Sequence, residues 1–179
     1  MIIPIDNNFT LRLLQKSDGA DIFHTIDNER EHLGPFLPFV EKTKAVSDTQ
    51  AFVDMTLDTP EEQREYTFTI RENEKFIGLI GFKSTDRINM ITEIGYWLSE
   101  KCQGRGIMTR AVKKLIEFAF DERGMNRIVI KCAVGNTKSK NIPKRLGFTF
   151  EGTERDGELL AGGVYTDIEV YSLLKRDRL

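Results

Sequence analysis

The stretch S99-E-K-C-Q-G-R-G-I-M-T-R110 decides the fold. A strand-like run, MITEIGYWLS (Met90 to Ser99), leads into it. A helical run leaves it, with apolar residues at 107, 111, 115, 118 and 119 on one face and Gly124 as a stop. RIVIKCAV (Arg127 to Val134) then reads as a dense β-branched strand buried on both sides. Strand, glycine turn, helix, strand is a parallel crossover. A helix start carries unpaired N–H groups and the positive end of its dipole, and Gly104 and Gly106 clear side chains from the approach. The amides of Gln103 to Thr109 can therefore wrap a diphosphate, with a positive charge from Arg105 and a hydroxyl from Thr109. A bare tight turn would use the same glycines. Neither standard nucleotide motif fits: Gly106 lacks a following Lys-Ser/Thr pair, and position 109 is not glycine.

Outward from this unit, FTLRLL (Phe9 to Leu14) alternates as a strand. Ser17 predicts the cap of a first helix, and SDTQ (Ser47 to Gln50) a capping box for a second that ends near Pro60. Strands over Tyr66 to Glu72 and Lys75 to Ser84 flank the short turn Asn73-Glu74, an antiparallel hairpin. A short helix from about Thr137 to Leu146 and two last strands, FTFEGTER and VYTDIEVYSLL, complete the chain. The expected fold is α/β (α+β): one domain over residues 1–179, a mixed, mostly antiparallel sheet of about six to seven strands, and about four flanking helices.

The 179 residues suffice for one real core. A net charge of −2 argues against a general nucleic-acid or membrane-surface binder. No apolar run approaches the roughly 20 residues of a membrane span, and the first residues lack a secretory pattern. Cys102 and Cys132 have no metal-ligand spacing, so the expectation is a cytoplasmic protein with free thiols and no metal.

EIGYWLSEKCQGRGIMTRAV resembles the acyl-CoA-binding motif of GNAT-fold N-acetyltransferases, Gln/Arg-x-x-Gly-x-Gly/Ala, with Met108 at the last position. NTKSKNIPKRLGF resembles the second motif of that family, and the two occur in the expected order and separation. The match is nearest to the RimJ/RimL branch, through EIGYWL, QGRGI, VIKC, Asn136 with Ser139, and the tail EGTERDGELLAGGVYTDIEVYSLL. Arg110, where many relatives carry an acid, and Pro143, inside the second motif's helix, depart from the pattern.

The resemblance implies acetyl-CoA as cosubstrate, held by Gln103, Gly104, Arg105, Gly106, Ile107, Met108 and Thr109. It implies that the backbone of Tyr96, Trp97 and Leu98 pairs with the pantetheine arm, an amide such as that of Leu98 facing the thioester oxygen. Asn136, Ser139 and Asn141 would line the cofactor, and Ser139 would serve the departing sulfur. Asn136 and Ser139 also suit plain helix-start roles. Glu158 would be the general base, with Glu93 a competitor, since an acid inside a strand is unusual unless it lines a cleft. His24 and His32 are expected to be bystanders or polar groups of the substrate cleft. The branch implies a homodimer and a protein N-terminus as acceptor. An α-amine has a pKa near 8, whereas a lysine near 10.4 is only about 0.1% neutral at pH 7.5 and costs roughly 4 kcal/mol more to activate. HLGPFLPFVEKTKA (His32 to Ala45) reads as an acceptor loop or a packed connector. A polyamine or aminoglycoside acceptor, and a non-catalytic acyl-CoA-binding module, are the rival readings.

Overall fold

The computed structural model describes residues 1–178. Eight strands form one sheet in the order β1-β2-β3-β4-β5-β6-β8-β7. They are β1 (Ile2–Pro4), β2 (Phe9–Leu13), β3 (Thr67–Glu72), β4 (Lys75–Asp86), β5 (Ile91–Leu98), β6 (Arg127–Ala133), β7 (Thr149–Leu160) and β8 (Val164–Leu174). The helices are α1 (Gly19–Asn28), α2 (Arg30–Leu33), α3 (Phe39–Lys42), α4 (Val46–Asp58), α5 (Ile107–Glu117) and α6 (Thr137–Arg145). The strand beyond the expected seven is β1, three residues held to the edge of β2. Such a segment is too short to show alternation. The two extra helices, α2 and α3, are single turns at the start of and within the proline-broken segment read as an acceptor loop or a packed connector. Leu33 and Val40 from that segment are buried, so much of it is a packed connector.

Both N-terminal caps are displaced from their expected residues. Asp18, not Ser17, closes the turn before α1: its Oδ2 accepts from the Gln15 N–H at 2.8 Å. At α4 the carboxylate of Asp48 accepts from the Lys44 and Ala45 amides, so the helix begins at Val46. A carboxylate at the third helical position outcompetes a hydroxyl for these amides because its bonds are charge-assisted. The Asn73-Glu74 hairpin is as expected, both residues adopting positive φ in a two-residue turn.

Two apolar clusters sandwich the sheet. Ile107, Ala111 and Leu115 of α5 pack with Ile94 of β5 and Ile128 and Ile130 of β6 on one face. Ile22 and Ile26 of α1 and Val53 of α4 pack with Leu79 of β4 and Trp97 of β5 on the other. Between them the sheet is held at every junction but one. β5 and β6, its only parallel neighbours, register at Ile91–Arg127, Thr92–Ile128 and Glu93–Val129 and then part. At that level β4 carries a bulge, since Phe82 faces Ile94 and Ser84 faces Glu93, leaving Lys83 extra. A bulge bends its strand, and this one lies at the level where β5 and β6 part.

Asp18, 1% exposed, is the ionic anchor of α1 on β2 and β3, pairing with Arg12 and, at 2.7 Å, with Arg71. Asp18→Ala strands two guanidinium groups and should cost about 3–5 kcal/mol in urea unfolding. Removing an exposed partner, as in Asp121→Ala, should leave the midpoint nearly unchanged. Equal effects would show that the buried pair is not the anchor.

Candidate active site

The gap between β5 and β6 opens toward the C-terminal ends of both strands, and each strand is followed there by a helix start. Ser99 N–H donates to the Ile77 carbonyl of β4. Antiparallel alternation then turns the N–H and C=O of Trp97 toward β4, and those of Tyr96 and Leu98 into the gap. Trp97 contributes its ring instead, packed against Phe76 under α1. Tyr96 and Leu98 thus leave a strand edge that an amide-bearing chain can continue.

Beyond β5, Gly104 and Gly106 have φ of +73° and +69°, the left-handed region that a side chain resists. A Cβ on Gly104 would meet nothing within 4 Å, so this surface is open. Gly106 precedes α5 and supplies no side-chain cap, which leaves the first amides of the helix, Ile107 to Thr109, aimed outward. Ile107 and Met108 bury their side chains, and Thr109 is half-buried. The Arg105 side chain turns away, forked onto Glu72 at 2.6 and 3.1 Å and lying over the Phe9 ring. The loop is therefore tied down by its arginine, and its anion-binding capacity resides in the amides. A diphosphate fits this cradle.

Across the gap, Asn136 caps α6, its Oδ1 accepting from Ser139 N–H at 3.1 Å. Asn141 is half-buried one turn further on. The Ser139 hydroxyl lies 3.4 Å from the Tyr96 hydroxyl and 3.3 Å from Cys132 Sγ. Pro143 explains the tyrosine's presence. It has no N–H for the carbonyl four residues back, Ser139 O, and the Tyr96 hydroxyl donates to that oxygen at 3.2 Å instead. The phenol of β5 thereby bridges the gap to α6. Burial pushes the Cys132 thiol above its ordinary range, and burial likewise raises the Tyr96 phenol far up. Both stay protonated, so the serine oxygen can accept from the thiol while its own hydrogen is directed to the Tyr96 oxygen, whose hydrogen goes to the Ser139 carbonyl.

The two acids stand on the opposite face of the sheet. Glu93 is level with Val129, and Glu158 faces Thr166, which shares a side of β8 with Ile168, the partner of Ala133. Strand alternation therefore puts Glu93, Glu158, Val129 and Ala133 on the α1–α4 side, and Tyr96 and Cys132 on the α5–α6 side. Glu158 is not in a loop between strands but half-buried within β7, just after a bulge in which Asp156 N–H donates to Asp167 Oδ1 at 2.9 Å. Glu93 pairs with Lys83 at 3.2 Å. Sequence reasoning overlooked the Tyr96 phenol, the Cys132 thiol and Lys138, and left His32 as a bystander or a polar group of the cleft. His32 is no bystander: its Nε2 lies 2.7 Å from the Gln103 side chain. No group of metal-ligating side chains occurs among the described residues.

The acetyltransferase (GNAT) domain model matches residues 8–149. The chain belongs to the GNAT acetyltransferase family. It is 34% identical to a putative ribosomal N-acetyltransferase, YdaF, of Bacillus subtilis, over 97% of this chain and 94% of the relative. It is 28% identical to the ribosomal-protein-serine acetyltransferase of Escherichia coli, over 95% of this chain and 94% of that one. A solved structure of RimL, a ribosomal L7/L12 alpha-N-protein acetyltransferase in complex with coenzyme A, superposes with a TM-score of 0.93 at 26% identity, covering 99% of this chain and all of that one. The GNAT chain is an acetyl-CoA-dependent N-acetyltransferase, and acetyl-CoA is its cosubstrate.

The Tyr96–Ser139 bridge is testable by a double-mutant cycle. Tyr96→Phe should cost about 1 kcal/mol by orphaning the Ser139 carbonyl. Pro143→Ala restores a helical N–H for that oxygen, so the same change should cost clearly less in its background. Additive costs in urea unfolding would show that the proline and the phenol are not linked.

Proposed function

We propose that this GNAT enzyme acetylates the α-amino group of a protein N-terminus, a ribosomal protein being the acceptor class suggested by its relatives. The single observation carrying the mechanism is the Ser139 hydroxyl, held beside Tyr96 and Cys132 across from the free edge of β5. Acetyl-CoA supplies an acetyl thioester whose carbon–sulfur bond breaks as the amine nitrogen bonds to the carbonyl carbon. The amides of Gln103 to Thr109 bind the diphosphate end. Tyr96 and Leu98 pair with the amide-bearing arm, and the Leu98 N–H faces the carbonyl oxygen where negative charge grows. Asn136 orders the first turn of α6 so that Ser139 can donate its proton to the departing sulfur.

The amine enters from the α1–α4 face, on which both acids stand. Glu158 takes its proton, directly or through one water; Glu93 is already engaged by Lys83. On this face the Gly34–Phe36 turn meets the Ala161–Gly163 turn at the tip of the β7–β8 hairpin. One domain spanning the chain, a homodimeric assembly and a cytoplasmic location complete the proposal; no helix among the described residues is long and apolar enough to cross a membrane.

Thiol release from acetyl-CoA measures turnover with N-terminal peptides, polyamines and aminoglycosides. The expectation is turnover of peptides with a free α-amine and none of their N-blocked forms. Turnover confined to small amines would overturn the acceptor class, and none with any amine would favour a non-catalytic acyl-CoA-binding role. Ser139→Ala and Glu158→Gln should each lower kcat by about 10²-fold or more, with the KM for acetyl-CoA nearly unchanged. Full turnover by either variant removes that residue from the mechanism.

A further inference from the structure

Three side chains far apart in the sequence meet at the wide end of the gap. Lys138 Nζ of α6 donates to Gln103 Oε1 at 2.8 Å. Gln103 Nε2 lies 2.7 Å from His32 Nε2 of α2. Ammonium groups only donate, so Lys138 fixes which end of the Gln103 amide is oxygen, and the NH2 end must face the histidine. An NH2 group only donates in turn, so His32 Nε2 must accept. The ring is therefore neutral, with its proton on Nδ1, 3.9 Å from Glu100 Oε1. Flipping the amide gives no escape for a protonated ring, because the NH2 would then oppose the lysine.

The charged groups around this chain are few. Glu100, largely exposed, lies on the Nδ1 side of the ring, and Lys138 stands beyond the Gln103 amide. Glu29 at the α1–α2 junction is already committed, accepting from Ser99 Oγ at 2.6 Å and Glu100 N–H at 2.8 Å. Arg30 on the same helix is turned to Asp27 and to the carbonyls of Val40 and Thr43.

We propose that His32 is a positioning residue: in its neutral form it straps the Gln103 turn to α2 and, through the Gln103 amide, to α6. The strap holds the turn ready for the coenzyme A diphosphate and releases it when the ring takes a proton. The proposal rests on reading that turn as the diphosphate site. With the strap formed, nearly all molecules are binding-competent; with it broken, ordering the turn is charged against affinity. The same bond links the helices of the amine-side face to the cofactor turn, so the two halves of the site are tied by one imidazole.

The test is the Kd for coenzyme A, measured by calorimetry without any acceptor between pH 8 and pH 5.5. The phosphate titration of the ligand itself is common to every variant and cancels in ratios. His32→Leu should bind about fivefold more weakly than wild type at pH 8, the worth of one hydrogen bond, and match it at pH 5.5. Gln103→Glu offers the ring a carboxylate, which holds a protonated histidine, so its Kd relative to wild type should fall as the pH is lowered. A His32→Leu protein that tracks wild type at every pH, or a Gln103→Glu ratio independent of pH, overturns the strap. Gly104→Asp separates the two levels: its Cβ meets nothing, aspartate tolerates positive φ, and its charge should repel the diphosphate. If Gly104→Asp binds as wild type does, the diphosphate site itself is misassigned and the strap falls with it.

Discussion

Strands β5 and β6 share three registered pairs, and the site exists because Ile94 to Leu98 then continue without a partner on that side. A parallel pair is normally buried and satisfied along its length, so an unpaired run inside the sheet leaves amides that call for an external partner. The bulge at Lys83 interrupts the β4–β5 register at the level where β5 and β6 part, and apolar clusters pack on both faces of the sheet. The gap also pierces the sheet. In the proposed function it gives cosubstrate and amine separate faces from which to approach.

The bridge across the gap is made by a deliberate breach of helix rules. Proline inside α6 removes one backbone hydrogen bond, which counts as a defect in an isolated helix. Here the freed Ser139 carbonyl takes the Tyr96 hydroxyl, and that contact brings a phenol to the serine hydroxyl. The loss in α6 is offset by a bond that ties that helix to β5 across the gap. Local and tertiary preferences conflict at this position, and such conflicts concentrate where a protein has a task beyond folding.

What was legible in the sequence was local. The glycine turn, the apolar stripe of α5 and the β-branched run of β6 each lie within about a dozen residues, and together they specify the crossover and the anion cradle. The acids were harder. Glu158 sits in a polar stretch that reads as a loop, because a bulge breaks the alternation of β7 just before it and hides the strand. Hardest were the polar bridges: Tyr96 reaches Ser139 across 43 positions, Lys138 reaches Gln103 across 35, and His32 reaches Gln103 across 71. No periodicity encodes such pairs; they appear only when the sheet order sets α2 and α6 beside the end of β5. Pro143 was the one available hint, since a helix with a missing N–H must satisfy its carbonyl elsewhere.

The distribution of ionisable groups over the two faces gives the proposed reaction a direction. Transfer from thioester to amine takes a proton from nitrogen and delivers one to sulfur. The face that carries Glu93 and Glu158 offers carboxylates to receive the first. On the other face the Ser139 hydroxyl stands beside Tyr96 and Cys132, whose ionisation burial resists. The carboxylate that does share the donor face, Glu169 in register with Cys132, is occupied by the Lys140 ammonium and the Tyr171 hydroxyl. The proposed base and the proposed donor thus stand on opposite faces of the sheet, beside the unpaired segment of β5.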